Sequence, residues 1–532
     1  MSPPRKPTGF VTMWILATLS VASLWLFRGP LTWNETSRFP VAKHFLDSTW
    51  IPSDWWINSP VLYQIPFNLL AAPFIACFDL GTAAILIRLV LYAWFSSGVV
   101  ALARRLEISL IPVIPAIMVA VAYRTRSLAA HEFMVEGAEM KTVAYGAVLW
   151  AISMLLGKRY RLAAAFLGLA ATFHVLVGFY AALTGCLFLL THPRHRHGMM
   201  KSLPVSIPVY LVCGGYGVFV GLHTLMSSGD SDAFTNLIYI ARNRHHIWPP
   251  AWWGNVVLNL PFPIDRLVWV AKALMSLVIL VLVSVRCRSQ PFRDFAHLAL
   301  LSSWSFVVGL LIYSAGPIGL LKYYPFRFPD VLVPFASFLL FFGVWERMAS
   351  DSNSYCQSPR IRKFLGIGLR VVTALLVVAG SLKTVSHLQV KWRANVPWQY
   401  VLLSPEDREA TQWIRDNTPA DAVFLADPYF EAFYVTAERG AMVLYKHIPS
   451  DLEGMKEWHD RLVAVNGGRE VLIESLTIDR DQIQHSFSEM PLEYARDLAR
   501  QYDLDHYYGP YRGDWEIAPL FKAGNKAIYR FP

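Results

Sequence analysis

Charge is scarce in this 532-residue chain: Asp, Glu, Lys and Arg make up only 16 % of it, against about 25 % in soluble globular proteins. Hydrophobic residues supply 55 % and mean hydropathy is +0.36. Together these values exclude a disordered chain, a collagen and a single soluble domain, and they favour a polytopic membrane protein. Cysteine is scarce too. The five are Cys77, Cys186, Cys213, Cys287 and Cys356, with none beyond residue 384. That spacing supports neither a disulfide framework nor a zinc site. Internal repeats and low-complexity tracts are missing, which argues against solenoids and linkers. What the chain does have is aromatic residues, 14 % with 19 Trp, as expected where a protein meets lipid headgroups. Net charge is +10 and pI about 9.3. In a membrane protein this reads as cytoplasmic Lys and Arg, and no nucleic-acid partner is expected.

A spanning helix needs about 20 mostly apolar residues. Apolar runs predict spans at 10–27, 81–103, 108–124, 142–157, 162–175, 177–191, 203–226, 266–285, 295–317, 331–346 and 364–384. The first follows Arg5 and Lys6 with no small-residue cleavage site after it, so it reads as an anchor. Segment 60–78 carries Pro60, Pro66 and Pro73, which oppose a straight helix, so it is laid along the outer surface. Run 161–191 would be about 46 Å long as one helix, against a hydrocarbon core of about 30 Å. Basic residues flank both of its ends (Lys158, Arg159 and Arg161; Arg194, Arg196 and Lys201). A hairpin of two short helices with its tip near His174 to Gly178 follows.

About eleven spans then obey the positive-inside rule, with Arg104/Arg105, Lys158/Arg159, Arg194–Lys201, Arg286/Arg288 and Arg347–Lys363 inside. The amino terminus is cytoplasmic and the carboxyl terminus extracytoplasmic, in the inner membrane. Residues 1–384 form the membrane domain, with outward loops 28–80, 125–141, 227–265 and 318–330. Residues 385–532 read as a soluble α/β domain: helices over 405–417, 455–465 and 492–502, and strands over 422–426, 442–445, 504–508 and 526–531. Ser404 is the expected cap of the first helix, with Pro405 at its first position.

Polar residues collect in the outward loops. Glu35 lies just past the first span and Asp54 sits in P-S-D-W-W (52–56). Either carboxylate could act as a general base beside the membrane. Neither belongs to a D-x-D triplet, so no cofactor is expected, although a divalent metal stays open. Trp33, Trp50, Trp55 and Trp56 read as interfacial anchors. Loop 125–141 holds His131, Glu132, Glu136, Glu139 and Lys141, without a H-E-x-x-H zinc motif because residue 135 is Val. Its acids read equally as helix-dipole partners or as part of a site. His174 lies at the hairpin tip, where a structural hydrogen bond is the ordinary role. Arg242, Arg244, His245 and His246 cluster before W-P-P-A-W-W (248–253). They suit either a headgroup surface or an anion site. In K-Y-Y-P-F-R-F-P-D (322–330), two prolines bracket Arg327. Arg at the mouth of a helix bundle can bind phosphate bidentately.

These features resemble a family. One amino-terminal span precedes a long outer loop with an early acid. There follow P-V-L-Y-Q (60–64), a span containing Arg88 and ending in A-R-R (103–105), many further spans, and an outward domain opening A-T-Q-W-I-R-D-N-T-P-A-D-A-V-F-L (410–425). The pattern is similar to the GT-C class of integral membrane glycosyltransferases. The rest of the soluble part resembles a bacterial C-terminal domain of unsettled activity. The resemblance implies a GT-C-like fold and inverting transfer of a hexose or pentose from a polyprenyl-phosphate donor to an extracytoplasmic acceptor in the cell envelope. Glu35 would be the base, where family members usually carry Asp, with Asp54 in reserve. Arg327, with Lys141, Arg244 and His246, would bind the donor phosphate, and Glu139, His174 and His245 complete the expected substrate-binding set. A transporter or flippase, or a non-catalytic envelope assembly or binding protein, is the alternative.

Overall fold

The computed structural model describes residues 9–26, 31, 34–59, 61–122, 132–227, 233–243, 246, 264–350, 358–394, 403–449, 451–473 and 477–531. Trp33, His131, Arg244 and His245 lie outside the described residues. The chain divides into two compact units. The first comprises Met1–Arg28, Arg88–Gly221 and His245–Gln389; the second comprises Gly29–Ile87, Leu222–Arg244 and Val390–Pro532. The expected domain 385–532 is thus joined in its unit by residues 29–87 and 222–244.

Fifteen described α-helices precede residue 395. They are α1 (Phe10–Trp25), α2 (Glu35–Leu46), α3 (Ile65–Cys77), α4 (Leu80–Arg105), α5 (Leu110–Ala122), α6 (Met140–Leu156), α7 (Tyr160–Phe173), α8 (Val175–Thr191), α9 (Pro193–Ser227), α10 (Ala233–Arg242), α11 (Ile264–Arg286), α12 (Gln290–Leu301), α13 (Trp304–Ala315), α14 (Arg327–Ser350) and α15 (Pro359–Ala394). Among the described residues, five stretches are long and apolar enough to cross a membrane: 80–105, 193–226, 290–315, 327–350 and 359–389. Helices α1, α5, α6, α7 and α8 are apolar but shorter. The expected span over 295–317 is two helices, α12 and α13, interrupted at Ser302 and Ser303. The chain is therefore a mostly helical protein with membrane-type helices and a C-terminal sheet.

In the first unit the tryptophans act as hydrogen-bonding packers. The Trp14 indole donates to the Ala93 carbonyl at 2.6 Å, Trp94 to Val143 at 3.0 Å and Trp150 to the Ser97 hydroxyl at 2.9 Å. An indole N–H in an apolar interior needs such an acceptor. The hairpin expected between two short helices is present as α7 and α8, parted at His174. The His174 Nδ1 accepts from the Val177 backbone N–H at 3.4 Å and caps α8. Gly178 permits the tight return, because a Cβ there would lie 2.3 Å from the Ala171 backbone.

In the second unit the sheet order is β2-β1-β5-β7-β6. Its strands are β1 (Val423–Ala426), β2 (Gly440–Ala441), β5 (His506–Pro510), β6 (Phe521–Ala523) and β7 (Lys526–Arg530); β3 (Leu472–Ile473) and β4 (Thr477–Ile478) form a separate antiparallel pair. β1 runs parallel to β2 and β5, while β7 is antiparallel to β5 and β6. The strand expected over 442–445 is absent, since the chain leaves the sheet after Ala441 and Tyr445 bonds to Pro428 instead.

Alternation puts the sheet's side chains into two cores. Leu425, Tyr507 and Tyr529 pack with Trp458, Leu462 and Val465 of α18 (Leu452–Val465), with α19 (Arg480–Ser488) and α20 (Leu492–Tyr502), and with Ile238 of α10. Phe424, Tyr508 and Ile528 pack with Ala410 and Ile414 of α16 (Pro405–Asn417), with the short α17 (Phe433–Thr436), and with Trp50, Ile51, Trp56 and Ile57. This corrects the anchor reading of three tryptophans. Trp50 and Trp56 are buried in the second core, and Trp55 packs on both cores beneath the Arg461 guanidinium. The sheet buries both faces, and the segment around residues 50–57 supplies part of one cover.

Candidate active site

In the first unit, α5 and α6 are joined by a connection whose described part begins at Glu132 and reaches Glu139, the residue preceding α6. Opposite it, a turn over 318–323 leads into Tyr324, held in the left-handed region at φ 52°. Pro325 and Phe326 follow, and Arg327 opens α14. Pro329 sits in the first turn of that helix, where its missing N–H has no intrahelical partner to lose. The bracketing prolines therefore place Arg327 at a helix start.

These two segments meet through Glu132. Its side chain is buried, at 2 % exposure. One carboxylate oxygen accepts from the Lys141 ammonium at 3.0 Å, and the other lies 3.1 Å from the Arg327 Nε. The Glu132 backbone N–H donates to an Asp330 carboxylate oxygen at 3.2 Å. Lys141 is also 3.5 Å from Glu139 and sits 3.3 Å from the Phe133 ring centre. The Arg327 guanidinium lies 3.8 Å over the Tyr324 ring, and His246 meets the same ring edge-on at 6.1 Å. Burial pushes the Glu132 carboxyl up, but Lys141, Arg327 and His174 outweigh it and hold the group below its ordinary value. A cavity of about 30 Å³ adjoins the cluster, lined by Glu132, Asp330 and apolar side chains including Phe95 and Phe335. That volume admits a water molecule.

The structure thus brings together Lys141, Glu139 and Arg327, with His246 reached through Tyr324 and His174 acting electrostatically on Glu132. At the centre stands a residue absent from the expected site set. Glu132 carries a visible signal, an acid in a short loop between apolar helices, but nothing in sequence pairs it with Arg327. Asp330 carries another, lying three residues beyond Arg327 and so on the same helix face.

Glu35 and Asp54 belong to the second unit. Glu35 is fully buried in the first turn of α2. Two sets of contacts fix that turn. The Asn34 side-chain oxygen accepts from the Lys446 ammonium at 3.0 Å, and the Thr36 carbonyl is 3.4 Å from the His447 Nε2. Behind it, Arg38 reaches the Tyr63 hydroxyl at 2.5 Å and Gln64 at 3.1 Å, while Gln64 donates to the Arg38 carbonyl at 2.7 Å. The Y-Q pair of the P-V-L-Y-Q segment therefore holds the helix that carries Glu35.

Asp54 has a different setting from the one its loop position suggested. It is fully buried, and it accepts from the backbone N–H groups of Trp56 at 3.0 Å, Ile57 at 2.7 Å and Ala441 at 2.9 Å. Burial pushes its carboxyl up. Both oxygens are committed to joining the 54–57 turn to β2, a clamp within the fold. Among the described residues, no group of three His, Cys, Asp or Glu side chains is placed to hold a metal ion.

Comparison with known proteins adds two likenesses. Residues 405–465 match a family model described as a domain of unknown function (DUF6798). The whole chain is similar to the crystal structure of the Archaeoglobus fulgidus oligosaccharyltransferase in complex with Zn and sulfate, at 11 % identity and a TM-score of 0.46, covering 94 % of this chain and 68 % of that one. No curated protein matches.

Proposed function

We propose that this chain is an inner-membrane glycosyltransferase moving a sugar from a polyprenyl-phosphate donor to a hydroxyl acceptor on the extracytoplasmic side. The observation that carries the reading is the ion cluster of Glu132, Lys141 and Arg327. Burying a carboxylate in a helical unit is costly unless it is paired, as Glu132 is with the partly buried Lys141 and Arg327, and such groups in membrane proteins typically serve a substrate or ion. The sequence resemblance to GT-C glycosyltransferases supports the same reading.

The chemistry asks three things of the side chains. The acceptor oxygen bonds to the anomeric carbon as the bond from that carbon to the phosphate oxygen breaks, inverting the centre. Glu35 takes the acceptor proton. Arg327 and Lys141 meet the charge left on the lipid phosphate, and Glu132 holds both cations in position beforehand, so little reorganisation is needed during reaction. Asp54 is given no chemical step, because its oxygens are committed to backbone N–H groups. Arg244 keeps its expected role at the donor phosphate, and His245 its place in the wider substrate-binding set.

The test uses the full chain in liposomes with labelled polyprenyl-phosphate hexoses and pentoses, following release of the lipid phosphate. Transfer is expected in the wild type, with losses of about 100-fold or more for Glu35→Gln and Arg327→Gln. Wild-type turnover that survives both substitutions would overturn the residue roles. Solute flux without any lipid-linked sugar would replace the enzyme with a transporter.

A further inference from the structure

A second polar cluster lies in the first unit, at the other end of α8 from His174. His174 precedes that helix and His192 follows it, so the two stand about 27 Å apart. A cleft of about 440 Å³ opens there between the α8–α9 junction and α11–α12, lined by His192, Arg194, Gln290, Arg293, Asp294 and His297 among others. Its one carboxylate is already engaged. Asp294 lies 3.1 Å from the His192 Nε2 and 3.8 Å from the His195 Nε2, and it accepts from the Gln290 amide at 2.5 Å. The Gln290 amide oxygen in turn accepts from Arg293.

The donors exceed these acceptors. The Arg293 Nε is buried with no hydrogen-bond partner, an arrangement that ordinarily carries a penalty. His297 lies tilted against His192 with ring centres 4.6 Å apart, and Arg194 is exposed at the cleft mouth. The walls hold two guanidinium groups and two imidazoles against one occupied carboxylate. What such a cleft lacks is a compact group rich in acceptors, and guanidinium and imidazole are suited to phosphate oxygens.

We propose that this cleft binds a phosphate group, either as inorganic phosphate or as the headgroup of an anionic lipid. The site is separate from the Glu132 cluster and does not depend on the transferase reading. The experiment uses the full chain carrying Arg327→Gln, so that the proposed donor site contributes little. Inorganic phosphate is titrated calorimetrically in detergent, and retention of phosphatidic acid over phosphatidylcholine is measured by mass spectrometry after extraction from nanodiscs. Binding of either ligand is expected, weakened about tenfold or more by Arg293→Gln and less by His297→Gln and Arg194→Gln. Phosphate binding without lipid retention assigns the site to a soluble ligand, and selective phosphatidic acid retention assigns it to a lipid. Arg194 is exposed, so its substitution tests the cleft even if the Arg293 variant misfolds. Absence of both ligands in the parent, or binding unchanged across the three substitutions, overturns the proposal.

Discussion

Arg327 and Glu132 face each other at 3.1 Å across two segments far apart in sequence, and the same carboxylate holds Lys141 at 3.0 Å. The pair is a commitment of the fold as much as of any chemistry, because either ion alone would be left partly buried without its counter-charge.

Glu132→Gln is expected to destabilise the first unit by about 3 kcal/mol, as breaking a buried pair typically does. Arg327→Gln should cost a comparable amount, and the double variant clearly less than the sum. Thermal unfolding of the four proteins in detergent gives the coupling energy. Additive losses would show that the two groups do not interact.

Asp54→Asn replaces an acceptor of three backbone N–H groups by a side chain whose amide end would oppose one of them. A loss of about 1–3 kcal/mol is expected. The readout is a lower unfolding temperature seen by tryptophan fluorescence, since Trp55 and Trp56 flank the clamp.

The second unit should show two opposed pH dependences. Burial pushes Glu431 from 4.5 up to about 7, despite Lys446, Arg242 and Arg480 nearby. Its folded form then binds more protons than its unfolded form, so stability falls as pH rises between those values, by roughly 3 kcal/mol. Burial pulls His447 from 6.5 down to about 3. Here the unfolded form binds more protons, so stability is lost as pH falls from 6.5 towards 3. Melting temperatures across pH should steepen upwards between 4.5 and 6.5 in Glu431→Gln, which leaves the histidine effect alone. His447→Gln should slope the other way.

Gly217 lies where α9 meets α7. A Cβ there would stand 2.1 Å from the Ala171 carbonyl oxygen. Gly217→Ala should separate the helices and lower stability by about 1–3 kcal/mol. Gly215→Ala, two residues earlier on the same helix and in open space, should be neutral or slightly stabilising. Equal melting temperatures for the two variants would show that the contact does not matter.

Much of the framework was legible in the residues. The 31-residue run over 161–191 is too long for one span, and it breaks at His174 as its length and basic flanks required. Helix α16 begins at Pro405 with the Ser404 hydroxyl accepting from the Asp407 N–H at 3.0 Å, because a capping side chain acts on its own turn. β1 is a short apolar run ahead of a turn. The strand expected over 442–445 was not legible: its residues are apolar enough for a strand, but core packing elsewhere claimed them.

What the sequence determined by itself is whatever acts over a few residues or over bulk composition: apolar helices, caps, the hairpin break and the presence of a C-terminal sheet. Periodicity, chain length and local hydrogen bonds are properties of contiguous residues, so they can be read in order. Only the tertiary structure decided that Glu132 joins Lys141 to Arg327, that Asp54 is a clamp, and that Trp50 and Trp56 cover a sheet formed by residues beyond 420. Each of these depends on which distant segments pack together, and a buried charge or ring takes its role from the partner that packing delivers.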